Sequence, residues 1–145
     1  MPTYTLTIED QPSTASVRLL QDRLHEYNVR QTRRASGQSL GVFVRDANGE
    51  VVAGLNGWTW AGWLGIANLW VREDLRHHRH GTALLYSAEQ EAAVRGCTHA
   101  ILDTFSFQAP EFYQRLGYRV VSVIEDFPAG HKRYTLVRRL ERSTA

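Results

Sequence analysis

The chain is poor in the residues that would mark a disulfide-bonded, membrane-spanning or nucleic-acid-binding protein. Its single cysteine, Cys97, cannot form an internal disulfide, so the sequence does not indicate an oxidising compartment. No apolar run reaches the ~20 residues of a membrane helix and no signal peptide is recognisable, so we expect a cytoplasmic protein with no membrane partner. Lys132 is the only lysine, and a net charge of +2 argues against a general nucleic-acid binder.

What remains is the composition of an ordinary soluble protein. A chain of 145 residues is long enough for a hydrophobic core and predicts a single domain over 1–145. Hydrophobic periodicity predicts the order strand, helix, strands, helix, strand, helix, strands. This order indicates an α/β fold in which helices flank a mixed, mostly antiparallel sheet.

Local signals place the predicted elements. Alternation predicts a strand over 4–8, and Pro12-Ser13 opens the first helix. Asn48-Gly49 and Ala61-Gly62 predict turns between strands over 40–45, 50–60 and 64–71. A helix over about 81–95 places Leu84, Leu85, Ala88 and Ala92 toward the sheet. The remaining elements are a strand over 100–104 that we expect to be buried on both faces, a short helix from Pro110, and strands over 118–125 and 133–138.

The most informative segment joins an apolar strand to a helix through a basic loop. Residues 69–85 read L-W-V-R-E-D-L-R-H-H-R-H-G-T-A-L-L. The first turn of a helix has N–H groups without intrahelical partners, and the helix dipole adds positive charge there. Anions therefore bind at such ends, and the loop adds two arginines and three histidines. The segment predicts a phosphate-binding loop.

Other interpretations of this loop are open. A basic run is often only a solvated face, and Gly81 could be only a backbone hinge. His78 and His80 lie close together, but no carboxylate or cysteine stands at a metal-ligand spacing, so we expect no metal. An arginine-rich nucleic-acid-binding domain is a further alternative.

The loop resembles the signature of the GNAT superfamily of acyl-CoA-dependent N-acetyltransferases. That signature is Arg or Gln, two residues, Gly, one residue, Gly or Ala, and a helix with a Leu pair. Arg76, Gly81 and Leu84-Leu85 match it, whereas Arg79 stands where the signature has its first Gly. The resemblance covers roughly residues 40–140.

A second segment, over 102–118, resembles the later motif of the same superfamily. There a strand precedes a short helix that carries Ala, Tyr and a terminal Leu-Gly-Phe/Tyr. Ala109, Tyr113 and Leu116-Gly117-Tyr118 take these places, and Ser106 stands where Asn is frequent. Two motifs in the right order are more specific than either alone.

The resemblance implies transfer of an acetyl group from acetyl-CoA to a primary amine of a small molecule or peptide, by direct attack through a tetrahedral intermediate. A catalytically weak CoA-binding sensor of the same fold is the alternative. The resemblance implies that the thioester lies along the end of the strand over 64–71 and that the phosphates bind the basic loop that follows it. The residues assigned to acetyl-CoA are Leu69, Trp70, Val71, Arg76, His77, His78, Arg79, His80, Gly81, Thr82 and Gln108.

Two residues are candidates for proton transfer. Tyr113 stands where the superfamily often has the acid that protonates the leaving thiolate, although it could simply pack against the sheet. Glu73, just beyond the strand, is the nearest carboxylate and the candidate base, although it could be an arginine partner or a surface charge. Asp126, His131 or a water chain could serve instead.

Aromatic and polar residues hint at the acceptor site. Trp58 and Trp60 share one strand face by alternation, and aromatic faces suit an aromatic or cationic acceptor. Packing beneath the sheet is the alternative for at least two of Trp58, Trp60 and Trp63. We also assign Asn68 and His131 to the acceptor site. The acceptor's identity and the formation of a homodimer stay open.

Overall fold

The computed structural model describes residues 1–141, within a chain that divides into a unit of Met1–Ser36 and a unit from Gly37 onward. The described elements are α1 (Thr14–Thr32), β1 (Gln38–Arg45), β2 (Val51–Trp60), β3 (Trp63–Val71), a 3₁₀ turn (Glu73–Leu75), α2 (His80–Val94), β4 (His99–Phe105), α3 (Pro110–Arg115), β5 (Arg119–Glu125) and β6 (Lys132–Arg139). Over the same 141 residues, no helix is long and apolar enough to cross a membrane.

The first unit contains α1, which begins where the sequence predicts. The Ser13 hydroxyl accepts a hydrogen bond from the Ser16 N–H at 3.1 Å, which caps a donor that the first turn leaves unpaired. The predicted strand over 4–8 is wrong, because no strand forms there. Alternation favours a strand only beside another strand, and Met1–Ser36 contains none to pair with it.

The second unit contains a six-stranded sheet in the order β1-β2-β3-β4-β6-β5. The β3–β4 pair is parallel and the other neighbours are antiparallel, which confirms the predicted mixed sheet. Both predicted turns form. Ala61 and Gly62 have φ of 52° and 87°, as a two-residue turn between twisted strands requires.

The core lies between the sheet and α2, which packs on β1, β2 and β3. Leu84, Leu85, Ala88 and Ala92 of α2 are buried there, as predicted. The expectation that β4 is buried on both faces is wrong, because its burial alternates and Asp103 is exposed. Alternate side chains face opposite sides of a sheet, and only the side that carries Leu102 faces α2.

Candidate active site

The site begins where two parallel strands separate. β3 and β4 pair from Trp63 with His99 to Ile66 with Leu102, and the pairing ends there. A bulge lies at the same level, because the β2–β3 register shifts between Ile66 and Asn68. Beyond this point β3 continues to Val71 and β4 continues to Phe105, but the two strands no longer pair with each other. A cavity of about 730 Å³ opens between them.

The edge of β3 presents backbone groups to this cavity. The Arg72 N–H donates to the Val52 carbonyl at 2.9 Å, which fixes the alternation of the β2–β3 ladder. By that alternation, the N–H and C=O groups of Leu69 and Val71 point away from β2, toward the gap. The Val71 carbonyl accordingly accepts a hydrogen bond from Arg76 Nε at 2.9 Å. Two backbone N–H groups are thus aimed into the gap.

The loop before α2 is rich in unpaired backbone donors. Within residues 1–141, no N–H from His77 to Thr82 donates to a backbone carbonyl, and the first to do so is that of Ala83, to Arg79 at 3.0 Å. His77 and Arg79 have φ of 66° and 65°, in the left-handed region. Successive turns of this kind form concave anion-binding sites at helix N-termini. The residues present therefore fit a phosphate group.

Arg79 adopts the conformation that a glycine would take at this place. A left-handed backbone costs a residue with a Cβ about 1–2 kcal/mol. Arg79, which stands at the place of the signature's first Gly, therefore adds a charge to the loop at a cost in folding energy. Gly81 has another role, because a Cβ there would lie 3.2 Å from the ring of Phe112 on α3.

Tyr113 on α3 lines the cavity beside the loop. Burial raises the pKa of its hydroxyl to about 12, so the group stays protonated at neutral pH. Its ring meets those of Phe112 and Tyr118 edge-on, with centroids 5.0 and 6.0 Å away. These contacts fix the position of the hydroxyl.

A buried carboxylate holds the segment that follows α3. Glu89 of α2 accepts a hydrogen bond from the Tyr118 hydroxyl and another from Arg138 Nη1, each at 2.7 Å. Burial and the neighbouring Glu89 raise the pKa of Tyr118 far above its usual range. This network joins α2, β6 and the chain after α3, and so it anchors the helix that carries Tyr113.

Most residues predicted for acetyl-CoA lie together around the cavity, as do Tyr113 and Asn68. The cavity is lined by Leu69, Trp70, Val71, Arg76, His77, Arg79, His80, Gly81, Thr82 and Gln108 from the acetyl-CoA set. His78 does not line it, because it lies exposed between the two left-handed residues of the loop.

Glu73 lies away from the cavity. It begins the 3₁₀ turn and its side chain is exposed. It pairs with neither arginine nearby, because Arg72 binds Asp74 at 2.6 Å and Arg76 binds the Val71 carbonyl. Since the turn directs Glu73 outward, the structure does not bring this candidate base to the strand gap.

The tryptophans predicted for the acceptor also lie outside the cavity. Trp58 covers Gly65, where an added Cβ would lie 2.0 Å from the indole, and Trp60 is level with Trp63. Both positions precede the separation of β3 and β4, so these rings face the paired part of the sheet. His131 does not line the cavity. Its ring packs edge-on against that of Phe107, which does, with the ring centroids 4.9 Å apart.

Sequence reasoning did not assign ten of the lining residues to the site, and Asp103, Phe107 and Phe112 are among them. Asp103 had a signal, since it is a lone carboxylate inside the apolar run of β4. The two phenylalanines had no such signal in the sequence, because their sequence neighbours do not show which cavity a ring will face.

A gap between two parallel strands beside a loop that fits an anion agrees with the resemblance to the GNAT superfamily. Comparison with known proteins agrees: the model of the acetyltransferase (GNAT) family matches residues 4–118. The chain therefore belongs to the GNAT acetyltransferase family.

Individual relatives support this assignment. Blasticidin-S acetyltransferase of Streptomyces morookaense is 36% identical over 116 residues, which are 77% of this chain and 85% of the relative. A solved structure from Agrobacterium tumefaciens, assigned as an acetyltransferase, is 28% identical with a TM-score of 0.89, covering 94% of this chain and 100% of that one. An aminoglycoside 6'-N-acetyltransferase in complex with coenzyme A is 17% identical with a TM-score of 0.64, covering 96% and 98%, and shows likeness of fold alone.

Proposed function

We propose that this acetyltransferase moves an acetyl group from acetyl-CoA to a primary amine of a small molecule, by direct attack through a tetrahedral intermediate. One observation carries the proposal: a single cavity is lined both by the anion-binding loop and by residues on the two faces of the sheet. Leu69, Val71 and Leu102 line it from the core face, and Asn68 and Asp103 from the opposite face. An acyl donor and an acceptor can therefore meet in the gap from opposite sides.

The backbone of β3 supplies the oxyanion site. The Leu69 and Val71 N–H groups face the gap, and one of them would donate to the carbonyl oxygen as negative charge develops. A positioned donor of this kind lowers the barrier by roughly 3–4 kcal/mol. Because these donors belong to the backbone, the site depends on the bulge and on the β2–β3 register more than on side-chain identity.

Tyr113 serves as the hydrogen-bond donor at the leaving thiolate. A phenol with a pKa of about 12 holds its proton at neutral pH, so it is always in the donating form. A thiol has a pKa of about 8.5, so complete transfer from Tyr113 would be uphill. We therefore assign Tyr113 a hydrogen bond that stabilises the departing thiolate while the proton released by the amine returns through water.

Water is the better candidate for the base. Glu73 is outside the cavity, and Asp103 is the one carboxylate that lines it within the described chain. The hydrogen bonds of Thr135 and Arg133 to Asp103 outweigh the opposing effect of burial and lower the pKa of its carboxyl group. A carboxylate with a low pKa is a weak base toward an ammonium group.

A thiol-release assay with acetyl-CoA and a panel of small amines, blasticidin S included because one relative is named for it, tests the proposal. We expect release that depends on the amine and an N-acetylated product by mass spectrometry. Acetyl-CoA binding without turnover of any amine would instead indicate the sensor. Failure to bind acetyl-CoA would contradict both.

A further inference from the structure

The charged residues that line the cavity are segregated. Arg76, Arg79 and Arg115 lie on the loop and at the end of α3. Across residues 1–141, Asp103 is the one carboxylate of the lining, and it lies on β4 just after the last pair with β3. Leu102 faces the core, so Asp103 faces the opposite side of the sheet. The cavity thus has its arginines at the loop and its one carboxylate, paired with Arg133, on the side of the sheet opposite the core, here called the acceptor face.

Asp103 is fixed by two donors. The Thr135 hydroxyl donates to Oδ1, and Arg133 Nη2 donates to Oδ2 at 2.6 Å. The Arg133 guanidinium lies over the rings of Phe127 and Phe105, at 5.0 and 5.9 Å from their centroids, which restrains it. A carboxylate has about four lone-pair positions, so each oxygen of Asp103 keeps one for a ligand.

A second oxygen acceptor lies on the same face of the sheet. Asn68 lines the cavity and donates its amide Nδ2 to Asn56 Oδ1 at 2.9 Å. This leaves the carbonyl oxygen of Asn68 without a donor from residues 1–141. A carboxylate and an amide oxygen together suit a cationic group that carries several N–H donors.

The reacting amine is an unsuitable ligand for this carboxylate. It must lose its proton before it attacks, whereas an ionised carboxylate beside it stabilises the ammonium form. We propose, on the basis of the proposed function, that Asp103 binds a second, non-reacting cationic group of the acceptor, so that the enzyme favours amines with two positive charges.

The strand register limits the distance between the two groups of the acceptor. Asp103 lies one residue beyond the last β3–β4 pair, and the bulge makes Ile66 to Leu69 span only two residues of β2. At about 3.3 Å per residue, the carboxylate and the thioester site are offset by roughly 3 Å along the strands, and the width of the gap adds to this offset. Cadaverine, a short flexible diamine, and pentylamine, its monoamine analogue, differ only in the second amine and are therefore matched probes.

The test compares the two amines in the wild-type protein and in Asp103→Asn. We expect the wild type to prefer cadaverine over pentylamine by about tenfold in kcat/KM, which is what one charge-assisted hydrogen bond can supply. Asp103→Asn should bring the ratio close to two, the statistical factor for a diamine with two equivalent amines, without changing acetyl-CoA affinity. Asp74→Asn is the matched control, since it breaks another Arg–Asp pair of 2.6 Å outside the cavity lining and should keep the preference.

Calorimetric titration of cadaverine into the CoA-saturated protein gives the same comparison without turnover. Equal cadaverine affinity in wild type and Asp103→Asn, or a wild type with no preference for the diamine, would overturn the assignment of Asp103. Cadaverine binding that depends on Asp103, without acetyl transfer to either amine, would support the cation site and contradict the proposed acetyltransferase activity.

Discussion

The two ends of the cavity recognise their ligands by different means. At the loop, the free N–H groups between His77 and Thr82 belong to the backbone, and Arg79 holds the left-handed conformation that favours glycine. At the acceptor face, recognition rests on side chains such as Asp103, held by neighbours on another strand. A site made of backbone tolerates sequence change, whereas a site made of side chains changes its ligand with each substitution.

The largest expected effect is the loss of acetyl-CoA binding when a negative charge is placed in the loop. Gly81→Glu brings a carboxylate to the phosphate site and a Cβ against Phe112, so acetyl-CoA affinity should fall by about 100-fold, because like charges at close range cost several kcal/mol. Titration calorimetry measures this. Ser87→Glu, on the exposed side of α2, adds the same charge and should bind normally. Unchanged affinity in a folded Gly81→Glu protein would refute the phosphate-loop assignment.

The next test removes the donor that lies between the two ends. Tyr113→Phe should lower kcat by roughly 10²-fold and leave acetyl-CoA affinity nearly intact, because the ring remains. Because the pKa of Tyr113 is raised to about 12, the wild-type rate should show no loss from Tyr113 ionisation until the pH approaches that value. Wild-type kcat in a variant with an unchanged melting temperature would leave Tyr113 with a packing role only.

The same pKa also predicts a stability effect. The pKa of Tyr113 is higher in the folded chain than the usual 10, so the folded state holds the proton more tightly. This contribution is fully present below pH 10 and is lost as the pH rises toward 12. Tyr113→Phe should therefore show a shallower loss of melting temperature in this alkaline range than wild type, and parallel curves would argue against burial of the hydroxyl.

A smaller effect tests whether the loop is set by its backbone. Arg79→Ala removes the charge and keeps the left-handed strain, whereas Arg79→Gly removes both. Arg79→Gly should be more stable than Arg79→Ala by about 1 kcal/mol, or roughly 3 °C in melting temperature for a chain of this size. Thermal unfolding of the two variants measures the difference. Equal stability would mean that the loop leaves its left-handed conformation in solution.

The smallest effect concerns Glu73. Because its side chain lies outside the cavity, Glu73→Gln should give a profile of kcat/KM against pH that superimposes on that of wild type. The profile should report the ionisation of the amine instead. Loss of the acidic limb in Glu73→Gln would restore Glu73 as the base.

The fold was predictable wherever local chemistry decides it. Ser13 caps α1, Ala61-Gly62 makes a tight turn, and the buried residues of α2 follow helical periodicity. The absence of a strand over 4–8 was not predictable in this way, since alternation describes a strand's faces but does not supply a partner. The loop residues were found because they are contiguous in the sequence.

The acceptor face depends on pairing that no local pattern contains. The role of Asp103 follows from its place one residue after the β3–β4 pairing ends and from its register opposite Thr135. The tryptophans looked suitable by type, but the β2–β3 register places Trp58 over Gly65, before the strands separate. Sequence reasoning recognised the tryptophans as suitable by type but could not locate them relative to the gap, and it did not identify Asp103.

The most direct test of the central claim is a calorimetric titration of acetyl-CoA and, with CoA present, of cadaverine into wild type, Gly81→Glu and Asp103→Asn. To keep CoA bound in the weakened variant, its concentration is raised until the loop site is saturated. We expect Gly81→Glu to lose acetyl-CoA affinity and keep cadaverine affinity, and Asp103→Asn to do the reverse. Loss of both affinities in each folded variant, or loss of neither, would contradict a cavity with two chemically separate ends.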